Sequence, residues 1–192
     1  MTAPRKSPLP NAAPVLVVAE LSLGLGGALL ARWLGIPVGE RLAGDLRVMR
    51  QATAGLAPLL GVLTFAQQTR WSPLVRLRRQ VRQIVRSTLA GAQGWELALA
   101  ALAAGVGEEI LFRGALQPWA ARAWGEPAAL AIVSLLFGVA HAASPAYFLA
   151  ATAVGAYLGW LAWVCDSLAV PILVHAAYDA IALAWYRRRI DR

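Results

Sequence analysis

Sulfur, imidazole and charge are all scarce in this chain. Its 192 residues include one cysteine, Cys165, and two histidines, His141 and His175. A single cysteine excludes an intrachain disulfide and any cysteine-built zinc site. Cys165 lies in an apolar run, where a thiol is expected to serve as inert packing. Charged residues make up 15% and hydrophobic ones 59%, whereas a soluble domain is about a quarter charged and about half apolar. The balance therefore points to a bilayer. Strand-like alternation, an internal repeat and an HExxH pair are also missing, which argues against a sheet, a solenoid and a zincin-type helix.

What is present is basic and apolar. The formal net charge of +8 would suit a nucleic-acid partner if the arginines shared one domain face. Instead they sit in short segments between apolar spans, as membrane proteins place them, and no nucleic-acid partner is expected. A spanning helix needs about 20 mostly apolar residues. Six segments qualify: roughly 13–31, 51–69, 97–118, 127–143, 146–165 and 168–186. Glu20 interrupts the first and a glutamate pair the third. The third is expected to run on as helix toward Trp124, and Gly125 and Pro127 to punctuate the turn into the fourth. The fold class expected is all-α, a polytopic membrane bundle of about six transmembrane helices. "MTAPRKSPLPN" is taken as a short tail, because Glu20 and the absence of a cleavage site argue against a secretory signal.

Residues 70–86, "RWSPLVRLRRQVRQIVR", interleave six arginines with Leu74, Leu77, Val81, Ile84 and Val85 at helical spacing. This pattern predicts an interfacial amphipathic helix on anionic lipid headgroups; a solvated basic loop is the alternative. With six spans, the tail, this segment and the C-terminal "RRRIDR" share one side and carry twelve basic residues, against five in the opposite loops. The excess places both termini in the cytoplasm. Trp33, Trp71, Trp124 and Trp185 near span ends fit an interfacial aromatic belt.

Ionisable residues within spans are functional candidates by default. The third span carries Glu108, Glu109 and Arg113. Glu109 and Arg113 are four apart with the acid first, the favourable order, so Glu109 is expected to be neutralised structurally. Glu108, turned about 100° away, is free to act as a base. In "FGVAH" Phe137 stands one turn below His141, and in "HAAYD" His175 and Asp179 share a face. Three helices thus each supply one catalytic candidate: Glu108, His141 and His175. Straight spans would not align them. Glu108 would lie ~17 Å into a helix starting near Glu96, His141 close to the cytoplasmic end and His175 ~10 Å below the other edge. Tilt or shifted ends must bring the three within roughly 10 Å around one polar cavity if they activate one water.

"EEILFRG", "FGVAH" and "HAAYD" resemble the EExxxR, FxxxH and HxxxN/D signatures of the CPBP family, which comprises CAAX prenyl endopeptidases, Abi-type bacterial relatives and bacteriocin-processing or immunity proteins. The resemblance covers residues 90–186, a four-helix core. Residues 1–89 contribute a tail, two membrane helices and the basic linker, and 187–192 a basic tail. It implies an intramembrane endopeptidase acting on a membrane-associated protein or peptide, in a bacterial plasma membrane. Glu108 and His141 would activate water, Glu109, Arg113 and Phe137 would support them, and His175 and Asp179 would serve the oxyanion. Many members carry asparagine where this chain has Asp179. An ionised aspartate cannot donate a hydrogen bond, so orienting His175 or touching a metal suits it better. Glu108, His141 and His175 could ligate a divalent metal such as zinc with one position open for water; a metal-free, glutamate-activated water is the other reading. Two further functions stand beside the protease: a non-catalytic scaffold or immunity protein of the same fold, and a proton-coupled transporter. The second would show matching broken helices in two halves, which the sequence lacks.

Overall fold

The computed structural model describes residues 11–190. The expected tail with Arg5 and Lys6 lies outside them, as does Arg192. Among the described residues every regular element is helical. They are α1 (Ala13–Trp33), a short 3-10 turn (Val38–Leu42), α2 (Leu46–Gln68), α3 (Ser72–Leu89), α4 (Gly94–Glu109), a π-helical segment (Ile110–Leu116), α5 (Gln117–Ala140), α6 (Pro145–Val164) and α7 (Ala169–Ile190). The starts follow local chemistry. Asp45 caps α2 by accepting from the Val48 N–H at 2.8 Å, Gln93 and Glu96 form a capping box on α4, and Ser144 caps α6. Arg187–Arg189, expected in a tail, continue α7 as its last turn.

Among the described residues five helical runs are long and apolar enough to cross a membrane, and one of them, Gly94–Ala140, contains both the third and the fourth expected spans. A straight helix of that length would measure about 70 Å, more than twice the ~30 Å hydrocarbon core. It is not straight. Gly125 has φ 76° and ψ 163° inside it, a left-handed φ that glycine adopts without steric cost, and Pro127 follows. The chain then doubles back, so that Phe112 and Ala120 pack on Ala129, Val133 and Phe137.

α4 stands between α1 and α7, α2 packs on α7, and α6 joins α5 to α7. Large apolar side chains such as Val15, Leu29, Val62, Phe65, Val139 and Leu149 face outward, while Glu108, Glu109, Arg113, Gln117 and His175 are buried. Apolar outside and ionisable inside is the arrangement expected where the surroundings are lipid. The chain is an integral membrane protein.

The arginine-rich segment is helical, as its spacing predicted, and is not among the spans. α3 lies at the end of the bundle where α2 finishes and α1 and α4 begin. Arg78 donates to the carbonyls of Ala66 and Gln67 at the end of α2, and the Ala12 N–H donates to Thr88 O. Val85 and Leu89 pack with Ala13, Leu97 and Tyr186. Ile84, expected on that buried stripe, is exposed instead, because the stripe runs Val81, Val85, Leu89 at spacing four. At the other end, Arg41 donates to the carbonyls of Arg113 and Ala162, and Arg122 to those of Leu34 and Gly35.

Candidate active site

The two glycines of "GVGEE" determine what can reach the carboxylates. A Cβ on Gly105 would stand 2.8 Å from the backbone nitrogen of Ala176, the neighbour of His175. A Cβ on Gly107 would overlap the backbone carbonyl of Glu20. Small residues let membrane helices approach closely. Here they draw α7 and α1 onto α4 directly before Glu108 and Glu109.

Glu109 is fully buried and held from two sides. Its Oε1 accepts from Arg113 Nη1 at 2.9 Å and from His175 Nδ1 at 2.8 Å. Arg113, also fully buried, donates through Nη2 to Gly155 O at 2.6 Å, and its guanidinium stands 4.6 Å over the Phe137 ring. Buried charges are retained when paired and hydrogen-bonded. The i,i+4 pair legible in the sequence is therefore present, and it also ties α7 and α6 to α4.

Glu108 differs. Its Oε1 lies 3.5 Å from His141 Nε2 and meets no arginine among the described residues, while its Oε2, like that of Glu109, is buried with no hydrogen-bond partner. His141 closes the C-terminus of α5, and its Nδ1 donates to Phe137 O at 2.9 Å. That bond fixes the ring so that Nε2 faces the carboxylate. The Phe137 ring stacks on His141, with centroids 4.5 Å apart, and meets His175 edge-on at 6.1 Å. His175 presents Nε2 to Asp179 Oδ2 at 3.5 Å. The expected depth mismatch is resolved by recessing the α5–α6 turn, which meets Glu108 about 21 Å along α4 at 1.5 Å per residue from Gly94.

The structure thus brings all seven expected residues, Glu108, Glu109, Arg113, Phe137, His141, His175 and Asp179, into one contiguous set. Residues 90–181 match a family model, Type II CAAX prenyl endopeptidase Rce1-like. Over this segment the chain is similar to the CPBP/CAAX protease family. No curated protein and no solved structure matches the chain. That similarity supports endopeptidase activity at a membrane in general.

Around this set stand two residues that sequence reasoning missed. Glu20 of α1, treated only as an interruption of a span, is within electrostatic reach of Glu108, His141, His175 and Asp179, and its Oε2 is buried without a hydrogen-bond partner. The signal was available, because an ionisable residue inside a span is a candidate by default. Tyr147, in the first turn of α6, has its ring centroid 6.5 Å from that of His141.

The donors do not form a metal shell. Among the described residues no three His, Cys, Asp or Glu side chains are grouped to hold a metal ion. His141 faces Glu108, while His175 faces Glu109 and Asp179 through its two nitrogens, so the histidines belong to separate pairs. Cavities of about 370 and about 100 Å³ lie elsewhere, the first lined by Leu97, Ala180, Ala184 and Arg187, the second by Arg41, Arg113, Gln117 and Asp166. Neither of these two is lined by Glu108.

Proposed function

We propose that this CPBP-like protein is an intramembrane endopeptidase in which Glu108 and His141 activate water for attack on a peptide carbonyl of a membrane-associated polypeptide. The observation that carries this reading is that Glu108 has no cation hydrogen-bonded to it among the described residues. Its Oε1 faces His141 Nε2 at 3.5 Å, whereas Glu109, whose Oε2 is equally buried and unbonded, is held through Oε1 by Arg113 and His175. Glu108 takes a proton from water as the hydroxide adds to the carbonyl carbon, and the proton passes to the leaving amine. His175 supports the developing oxyanion from Nε2, which at 3.5 Å is held only loosely by Asp179. Asp179, which accepts but does not donate when ionised, orients the ring. Glu109 and Arg113 hold His175 and do not react. No step is routed through a metal, since the donors are arranged in pairs.

Purified protein should cleave an apolar reporter peptide in detergent, and Glu108→Ala should abolish cleavage while leaving the melting temperature close to the parent's. Cleavage by that variant at the parent rate would remove Glu108 from the chemistry.

α3 is proposed to rest on anionic lipid headgroups through the exposed Arg76, Arg79 and Arg86, with both termini in the cytoplasm. Thermal stabilisation by added phosphatidylglycerol, lost on replacing these three arginines by glutamine, checks this. An equal shift with zwitterionic lipid would count against it.

A further inference from the structure

The catalytic reading leaves one half-buried carboxylate unused. Glu20 reaches the site because the α1–α4 crossing is centred on it. A Cβ on Gly107 would overlap the Glu20 backbone, one on Gly24 would lie 3.0 Å from Gly107 Cα, and one on Gly27 would lie 2.7 Å from Leu111 Cα. This spine of close backbone approach sets Glu20 beside the residue preceding Glu108. Its Oε2 and the Oε2 of Glu108 are both buried and unbonded, and Glu108 itself is only 7% exposed.

The charge around this point is one-sided. Glu20, Glu108, Glu109 and Asp179 supply four carboxylates, and Arg113 is hydrogen-bonded to Glu109. Arg113 and His175 are both engaged by Glu109. Tyrosine adds a second kind of cation-seeking surface. Tyr147 lies within electrostatic reach of Asp179 and Glu108, and Tyr178 of Asp179 and Tyr147. Carboxylate oxygens beside aromatic faces attract an ammonium or guanidinium group, the more so where water is excluded. Polypeptides that border a membrane carry lysine and arginine next to their apolar segments, so such a group is available on the class of substrate proposed above.

We propose that Glu20 forms a subsite for a lysine or arginine side chain of the bound polypeptide. The cation supplies the partner that Glu20 Oε2 lacks. This makes α1, from outside the matched segment 90–181, a determinant of what the site accepts. The inference rests on the reading of the site as one that binds a polypeptide.

The test is a binding comparison on the full chain in detergent, using two labelled apolar peptides that differ at one central residue, lysine in one and norleucine in the other. Fluorescence anisotropy should show the lysine peptide bound roughly tenfold tighter or more, the scale of a desolvated charge pair. Glu20→Gln should bring the lysine peptide to the norleucine value and leave the norleucine peptide unchanged. Glu20→Ala, which also removes the carboxylate from an oxygen that has no bond to lose, should do the same. Equal affinities for the parent, or a lysine preference that survives both substitutions, would overturn the proposal. Cleavage of the two peptides separates it from the catalytic reading. Cleavage without lysine preference in binding sinks the subsite and keeps the protease. Lysine-selective, Glu20-dependent binding with no cleavage does the reverse.

Discussion

Glu109 is gripped by Arg113 at 2.9 Å and by His175 at 2.8 Å, both on Oε1, while its chain neighbour Glu108 meets His141 at 3.5 Å; each keeps its Oε2 buried and unbonded. The two carboxylates share a sequence, a depth and a helix, so the difference comes from what the other helices bring. α6 and α7 close over Glu109 with backbone and imidazole. α1 and the α5–α6 turn bring another acid and a loosely held ring to Glu108. A buried charge paired with a cation stabilises position, and one without a cation is available for chemistry. One pair of adjacent residues thus separates the structural and the reactive halves of the site.

Arg113→Ala should break this comparison most severely. It strands Glu109, fully buried, without its cation, and removing one partner of a buried pair costs about 3–5 kcal/mol. Yield and melting temperature should fall together, in contrast to Glu108→Ala, which should cost activity and little stability. A folded, active Arg113→Ala protein would show that His175 alone sustains Glu109. A smaller effect is expected from Gly107→Ala. The added methyl meets backbone, not a flexible side-chain end, so α1 must move away at about 1–3 kcal/mol, the usual range for overpacking. That shift carries Glu20 off Glu108 while Glu109 keeps both partners, so the loss should appear in lysine-peptide binding before it appears in the melt. Unchanged binding in a measurably destabilised Gly107→Ala protein would mean that the crossing does not position Glu20.

Much of this was legible in the residues. The helix at 146–165 is found at Pro145–Val164, and the first at Ala13–Trp33. The turn expected at Gly125 and Pro127 is the break in the long run. The arginine segment is a helix at the edge of the bundle. Periodicity, apolar length and turn residues carry that information locally. The pairing of Glu109 with Arg113 follows from spacing alone, and the stacking of Phe137 on His141 likewise. The π-helical turn at Ile110–Leu116, the recessed α5–α6 turn and Glu20 were not legible in this way. Glu20 in particular depends on how closely two backbones approach, and that is decided by glycines whose partners lie more than 80 positions away in the chain. Gly107 against Glu20 is such a case. No local pattern marks which of the 17 glycines is a contact and which a turn.

The break at Gly125 bears on how the site is assembled. Two apolar arms meet at a single left-handed residue followed by proline, with Arg122 and Glu126 at the tip. No hydrophilic loop separates them, and Phe112 of one arm meets Phe137 of the other with ring centroids 5.1 Å apart. The two arms are thus one closed helical hairpin, which sets Glu108 and Glu109 on one side against His141 on the other before α7 adds His175.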